Sequence, residues 1–283
     1  MGHRAEERPL LITQIRRPMQ SRHSHPSLHG ARLPHLASAL GMIVLYFTLQ
    51  FLASGLVGLG LGFALGVSGP GPAGVGVRIK AVLAQPDTNA LMVILTLLLA
   101  ASVTVVLVRR LWPAAWSHGA PPGLGLTRPG RPLFYLAAVL LGLALPIAGG
   151  WLTRWVAQGH EVTQDVRQIG GAASLTLRLP LALLVISLGP LVEELLFRGA
   201  LLSALLRRMH VGWAVAISSL LFACVHLPDL GFLWYAVPNL ALLGAVLAWL
   251  RLRSGSLWPA VVAHGMNNLL AVAAWFIASS ITG

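Results

Sequence analysis

Seven long apolar stretches run through this chain and limit what it can fold into. They lie near residues 37–67, 90–108, 133–152, 179–206, 211–227, 231–250 and 256–279. A hydrocarbon layer of about 30 Å is crossed by roughly 20 apolar residues in a helix, so most of these stretches are long enough to cross it. Backbone groups in lipid must find their hydrogen bonds within the structure, which favours helices. The sequence therefore predicts an all-α fold, a polytopic transmembrane bundle of about seven or eight helices.

The composition agrees with lipid as the solvent and excludes a water-soluble fold. Hydrophobic residues make up 56% of the 283 residues and charged residues only 10%, whereas a soluble domain carries about 25% charged residues. The net charge of +12 does not indicate nucleic-acid binding, because most of the arginines lie in the N-terminal tail and at the ends of the apolar stretches. The single cysteine, Cys224, excludes an intrachain disulfide and is interpreted as a small packing residue.

The chain divides into three parts by composition. Residues 1–35 are polar and rich in arginine, and we interpret them as a mobile basic tail in the cytoplasm. Residues 36–174 hold the N-terminal transmembrane helices and loops. Residues 175–283 hold the last apolar stretches, which contain several polar residues. Seven crossings would place most of the remaining arginines on the side of the tail, as the positive-inside rule requires. We therefore expect a multi-pass protein of the cell membrane with a cytoplasmic N-terminus; these arginines are Arg109, Arg110, Arg128, Arg131, Arg207, Arg208, Arg251 and Arg253.

Three ionisable residues stand inside the fourth apolar stretch: Glu193, Glu194 and Arg198. Each costs roughly 2.5–3.5 kcal/mol at the centre of a membrane helix, which makes such residues candidates for function. Glu194 and Arg198 are four residues apart and can pair on one helix face. Glu193 is rotated from Glu194 by about 100°. The spacing predicts an orienting pair, Glu194 with Arg198, and a separate reactive carboxylate on Glu193.

Two later stretches carry polar residues at the same helical spacing. Phe222 and His226 share a face of one stretch, and His264 and Asn268 share a face of the last. One such His or Asn alone would be explained by a hydrogen bond to a neighbouring helix. Glu193 and His226, however, are equally far along the chain from a turn near residues 209–210, which places both about 24 Å from that turn in antiparallel helices. The four polar residues are therefore predicted to converge within the membrane.

A convergent Glu/His/His/Asn group supports two kinds of hydrolytic chemistry. Glu193 with His226 can activate a water molecule as a general base, while His264 and Asn268 stabilise an oxyanion. Alternatively, Glu193, His226 and His264 hold a divalent metal ion, with zinc as the first candidate, because carboxylate and imidazole ligands with one open position form hydrolytic zinc sites. The spacing alone does not choose between metal-bound and metal-free water.

These residues resemble the motifs of a known family. The segment from Glu193 to Arg198 resembles its E-E-x-x-x-R motif, Phe222 to His226 resembles F-x-x-x-H, and His264 to Asn268 resembles H-x-x-x-N. The motifs are those of the CPBP intramembrane proteases, which include the type II CAAX prenyl endopeptidases and bacteriocin-processing or immunity proteins. The resemblance covers about residues 175–279.

The resemblance implies a peptidase core at residues 175–283 whose substrate is a membrane-associated protein or peptide, of CAAX type or similar to a bacteriocin leader. It implies that Glu193 and His226 activate water, and that His264 and Asn268 stabilise the oxyanion or help to hold a metal. Glu194, Arg198 and Phe222 would orient these groups. Two other functions remain open: a non-catalytic immunity or membrane scaffold protein, and an ion-coupled transporter. No inverted repeat of the transporter kind is evident in the sequence.

Overall fold

The computed structural model describes residues 31–67, 74–158 and 165–281, and these residues form helices and turns without a strand. Most of the predicted tail therefore lies outside the described residues. The predicted all-α transmembrane bundle is confirmed. The α-helices are α1 (Leu36–Val67), α2 (Val75–Leu83), α3 (Pro86–Leu111), α4 (Pro113–Trp116), α5 (Leu133–Ala157), α6 (Asp165–Ala172), α7 (Leu175–Leu183), α8 (Gly189–Glu194), α9 (Leu202–Leu206), α10 (Val211–Val225), α11 (Val237–Ser254) and α12 (Trp258–Ile281).

Within the described part of the chain, six helical segments are long and apolar enough to cross a membrane. They are Leu36–Ala64, Pro86–Leu111, Leu133–Ala157, Leu175–Leu206, Trp234–Ser254 and Trp258–Ile277. Large apolar side chains on their outer faces are exposed, as expected for contact with lipid; Phe51 is 80% exposed and Phe63 is 75% exposed. The exposed Trp151, Trp155 and Trp234 lie near helix ends, where indole rings favour the membrane–water interface.

The apolar stretch at 211–227 forms a helix that is shorter than a full crossing. Helix α10 has 15 residues, which corresponds to about 22 Å. Two 3₁₀ turns, Pro228–Leu230 and Trp234–Ala236, then carry the chain to α11. Gly231 between them has φ of 58°, a left-handed conformation that glycine adopts without strain. The early end of α10 leaves His226 at its C-terminus.

The segment from α7 to α9, residues Leu175–Leu206, is one continuous helical rod with two π-helical insertions. The insertions are Leu184–Leu188 and Leu195–Leu201, and they flank α8, which ends in the two glutamates. Pro190 stands in the first turn of α8 and supplies no backbone N–H to the rod at this point. Single π turns inside α-helices are often found at functional sites.

The two ends of the bundle are defined by different sets of hydrogen bonds. At one end the loop at residues 117–132 packs between the α11–α12 turn and the rod, and Gly130 N–H donates to the carbonyl of Ser254 over 3.3 Å. We call this the plug end. At the opposite end Ser174 N–H donates to Asp87 Oδ1 over 2.6 Å, and Arg178 donates to the carbonyl of Trp275 over 3.0 Å.

Candidate active site

The carboxylate of Glu193 lies between two imidazole rings from two other helices. Glu193 Oε2 is 3.6 Å from Nε2 of His226 and 3.8 Å from Nε2 of His264. The side chain of Glu193 is 18% exposed and that of His264 is 5% exposed. The rod, α10 and α12 thus bring three of the predicted catalytic residues into one group.

Glu194 faces away from Glu193 and makes two contacts through one oxygen. Its Oε1 accepts a hydrogen bond from Arg198 Nη1 at 2.9 Å and lies 3.0 Å from His264 Nδ1. Glu194 and Arg198 are both fully buried. The guanidinium also donates to the carbonyl of Gly244 over 3.0 Å. The acidic residue of the predicted orienting pair therefore also fixes the ring of His264.

The hydrogen bonds of the two histidines set which ring nitrogen faces Glu193. His226 Nδ1 lies 2.7 Å from the carbonyl oxygen of Phe222, and His264 Nδ1 lies beside a carboxylate oxygen. Both partners are acceptors, so both Nδ1 atoms carry the hydrogen, and each neutral ring presents its Nε2 lone pair to Glu193. Three electron-pair donors from Glu193, His226 and His264 therefore converge on one small volume.

Carboxylate oxygens and imidazole nitrogens are donor types that bind zinc. Among the residues that the structure describes, however, no group of three or more His, Cys, Asp or Glu side chains is placed so that it could hold a metal ion. Ligand atoms of a tetrahedral zinc ion are about 3.4 Å apart at bond lengths of about 2.0–2.1 Å, so the separations of 3.6 and 3.8 Å are slightly wide. Glu193 Oε2 is buried without a hydrogen-bond partner. The carboxylate beside His264 matches the second-shell contact that metal-binding histidines generally make.

Phe222 is the ring against which the site packs. Its centroid lies 4.7 Å from that of His226 and 5.6 Å from that of His264. The guanidinium carbon of Arg198 stands 4.3 Å from the same centroid, a cation–π distance. Phe222 thereby limits the movement of both imidazoles, which is the geometry that an orienting residue requires.

Asn268 is placed one turn beyond His264 and is tied to the rod. Its Nδ2 donates to the carbonyl of Val185 over 3.0 Å, and its Oδ1 accepts from Asn267 Nδ2 at 3.2 Å. Val185 lies in the first π-helical insertion. The second N–H of the Asn268 amide remains for another acceptor.

A cavity of about 470 Å³ adjoins the Glu/His group, within the size range of small-molecule and cofactor pockets. It is lined by Glu193, Phe222, His226, His264 and Asn268, together with residues of α1, α3 and α11. Two polar atoms in its wall, Gln50 Nε2 and Thr96 Oγ1, are buried without a hydrogen-bond partner. These two residues and the lining residues Asn89 and Asn267 were not predicted from the sequence. Gln50 could have been predicted, because it is a single polar amide within the first apolar stretch.

The fold and the site together define a class, that of polytopic membrane proteins with a buried Glu/His group beside an internal cavity. Residues 175–270 match the family model described as "Type II CAAX prenyl endopeptidase Rce1-like", and all the predicted site residues lie inside that range. The predicted resemblance to the CPBP family is thereby confirmed for this part of the chain. At the family level the similarity is to intramembrane proteases.

One curated relative supports the same class. A Bacillus subtilis (strain 168) protein named "Putative membrane peptidase YdiL" is 29% identical over 140 residues. The aligned part covers 49% of this chain and 52% of the relative, so the chain spans about half of that protein's length. No solved structure matches the chain.

Proposed function

We propose that this protein is an intramembrane endopeptidase that hydrolyses a peptide bond of a membrane-associated protein or peptide. The observation that carries the proposal is the convergence of Glu193 Oε2 with Nε2 of His226 and of His264 at the wall of a cavity inside the bundle. The family match over residues 175–270 supports it. The proposed orientation in the cell membrane has the N-terminus in the cytoplasm.

Glu193 is the proposed general base. It takes a proton from a water molecule as the oxygen attacks the scissile carbonyl carbon, and it later delivers that proton to the leaving amine. One water is consumed, one C–N bond breaks, and a carboxylate and an amine result. His226 Nε2 stands 3.6 Å from the same carboxylate oxygen and helps to orient the water. The hydrogen bond that His226 Nδ1 donates to the carbonyl of Phe222 keeps Nε2 directed at the site.

Asn268 and His264 are the proposed partners of the oxyanion. The second N–H of Asn268 is available because the first is held by Val185. His264 can donate through Nε2 only in its protonated form. When neutral, His264 instead supplies a lone pair, and Glu193, His226 and His264 together would hold a zinc ion. A zinc ion in that position would polarise the scissile carbonyl and acidify a bound water.

The function is tested by replacing the proposed base without changing its size. Membranes from cells that express the wild-type protein or Glu193→Gln are compared by mass spectrometry of protein N-termini. We expect new termini that depend on the wild-type protein and that fall by about 10²-fold or more in the variant, because general acid–base catalysis contributes about that much. Ser117→Ala, an exposed change at the plug end, is the matched control and keeps the termini.

Two results would contradict the peptidase. One is a set of termini that is unchanged by Glu193→Gln at equal expression. The other is a protective or binding phenotype that survives the same substitution, which would favour the immunity or scaffold function.

A further inference from the structure

The plug end of the bundle is closed by the 117–132 loop, which is hydrogen-bonded to α11 and to the start of α12. Arg251 Nη2 donates to the carbonyls of Gly119 and Gly123, both over 2.7 Å. Ser256 Oγ donates to the carbonyl of Thr127 over 2.6 Å. Leu257 N–H donates to the carbonyl of Gly125 over 2.6 Å. These bonds fix the 117–132 loop against α11 and the start of α12.

The packing under this loop is dense. Residues 195–202 of the rod are all buried, most of them with no exposed surface, and Leu124 of the loop packs on Gly199. A Cβ on Gly125 would lie 2.6 Å from the Arg251 guanidinium carbon, so backbone and guanidinium are in close contact there. These buried layers separate the Glu/His group from the plug end.

On α12 and α3 the cavity extends away from the plug end. On α12 its lining residues run from His264 to Trp275, away from the plug-end residue Trp258. On α3 they are Asn89 to Leu97, in the half that begins at Pro86. At the 1.5 Å rise of a helix, Asn89 lies about 30 Å from Arg109 at the plug end. The route to Glu193 therefore starts at the end opposite the plug.

The charges differ between the two ends. Among the residues that the structure describes, the plug end carries nine basic residues and no acidic one: Arg32, Arg109, Arg110, Arg128, Arg131, Arg207, Arg208, Arg251 and Arg253. Within the same described ranges the opposite end has five basic residues and three acidic ones: Arg78, Lys80, Arg154, Arg167 and Arg178, with Asp87, Asp165 and Asp229. The positive-inside rule assigns the plug end to the cytoplasm.

We infer that the site is reached from the extracytoplasmic half of the membrane, and that its substrate is an extended peptide segment presented on that side. The inference rests on the proposed peptidase function. A peptide is favoured because the wall of the route carries side chains that bond to a backbone, namely Gln50, Asn89, Thr96 and Asn267. Gln50 Nε2 and Thr96 Oγ1 have no hydrogen-bond partner among the described residues, and an extended backbone in an apolar cavity must find such partners. Access from this side does not serve a C-terminal tail that is presented in the cytosol.

Access is tested by labelling single cysteines, without any cleavage assay. The native thiol is first removed by Cys224→Ala. Asn89→Cys probes the outer part of the cavity, Asn267→Cys probes its depth, and Ser117→Cys is the matched control at the plug end. A membrane-impermeant maleimide is applied to intact cells and, separately, to inside-out membrane vesicles, and each variant is checked for correct folding by size-exclusion chromatography.

We expect the maleimide to label Asn89→Cys and Asn267→Cys in intact cells, and Ser117→Cys only in inside-out vesicles. Labelling of Asn267→Cys only in inside-out vesicles, or from neither side, would overturn the inference. Adding Glu193→Gln to each cysteine variant leaves the labelling unchanged while it removes the proposed cleavage. The labelling therefore tests access alone, and the comparison of protein N-termini tests the peptidase function.

Discussion

Glu194 carries two bonds on one oxygen and so links the charge of Arg198 to the ring of His264. The bond to Arg198 could be predicted from the sequence, because residues four apart share a helix face. The bond to His264 could not, since the two residues are 70 positions apart and only the packing of α12 against the rod joins them. The orientation of the imidazole lone pairs depends on that packing, so it could not be predicted from the sequence either.

Removing the charge of Arg198 is expected to destabilise the fold strongly. Arg198→Met leaves the fully buried Glu194 carboxylate without its partner, and breaking a buried ion pair on one side costs about 3–5 kcal/mol. The change is measured as the free energy of unfolding in detergent micelles. The double variant Arg198→Met/Glu194→Gln is the matched control, and we expect it to recover a large part of the loss. If Arg198→Met and the double variant were equally stable, the unpaired Glu194 carboxylate would not be the cause of the loss.

Zinc binding is the residue-level test of the proposed metal ligands. We expect the purified protein to bind zinc, His226→Ala to lose that binding, and Glu194→Gln to weaken it by about 10–100-fold, because second-shell partners tune metal affinity by that factor. The affinity is measured by competition with a chromophoric chelator, which needs no substrate. His210→Ala, outside the site at the start of α10, is the control. Equal affinity in wild-type protein and His226→Ala would remove this ligand assignment.

At the scale of the elements, hydropathy located the helices but not their irregularities. All six long helices correspond to predicted apolar stretches, namely those near 37–67, 90–108, 133–152, 179–206, 231–250 and 256–279. The π-helical insertions around α8 are invisible to hydropathy, because they change the backbone bonding and leave the apolar run continuous. Helix α10 ends at Val225, two residues before the end of the predicted stretch 211–227, because the chain turns around Pro228 and Gly231.

The role of the 117–132 loop can be tested by a mutation at Gly125. Gly125 has φ of 85° and no space for a Cβ beside Arg251. We expect Gly125→Ala to destabilise the loop by at least about 1–2 kcal/mol, the usual cost of a left-handed residue with a side chain. The readout is faster hydrogen exchange at residues 117–132. Gly130→Ala is the matched control, since a Cβ there would meet nothing within 4 Å. Equal exchange in both variants would mean that the contact with Arg251 is not limiting.

At the scale of the whole molecule, the sequence predicted the bundle and the convergence of the Glu/His residues because both follow from helical geometry. Glu193 and His226 were placed at one depth by counting from the turn near residues 209–210, and the structure brings them within 3.6 Å. The cavity could not be predicted. Its wall includes residues of α1 and α3 such as Gln50 and Thr96, whose approach to the rod depends on side-chain packing between distant parts of the chain.

The closed plug end has a consequence for the energy balance of the cell. Hydrolysis at bilayer depth needs water there, but a continuous file of water across the membrane would conduct protons and discharge the ion gradient. If water enters this bundle from one face only, it reaches Glu193 for the reaction. The buried layers between Glu193 and the plug end then prevent ions from crossing the membrane.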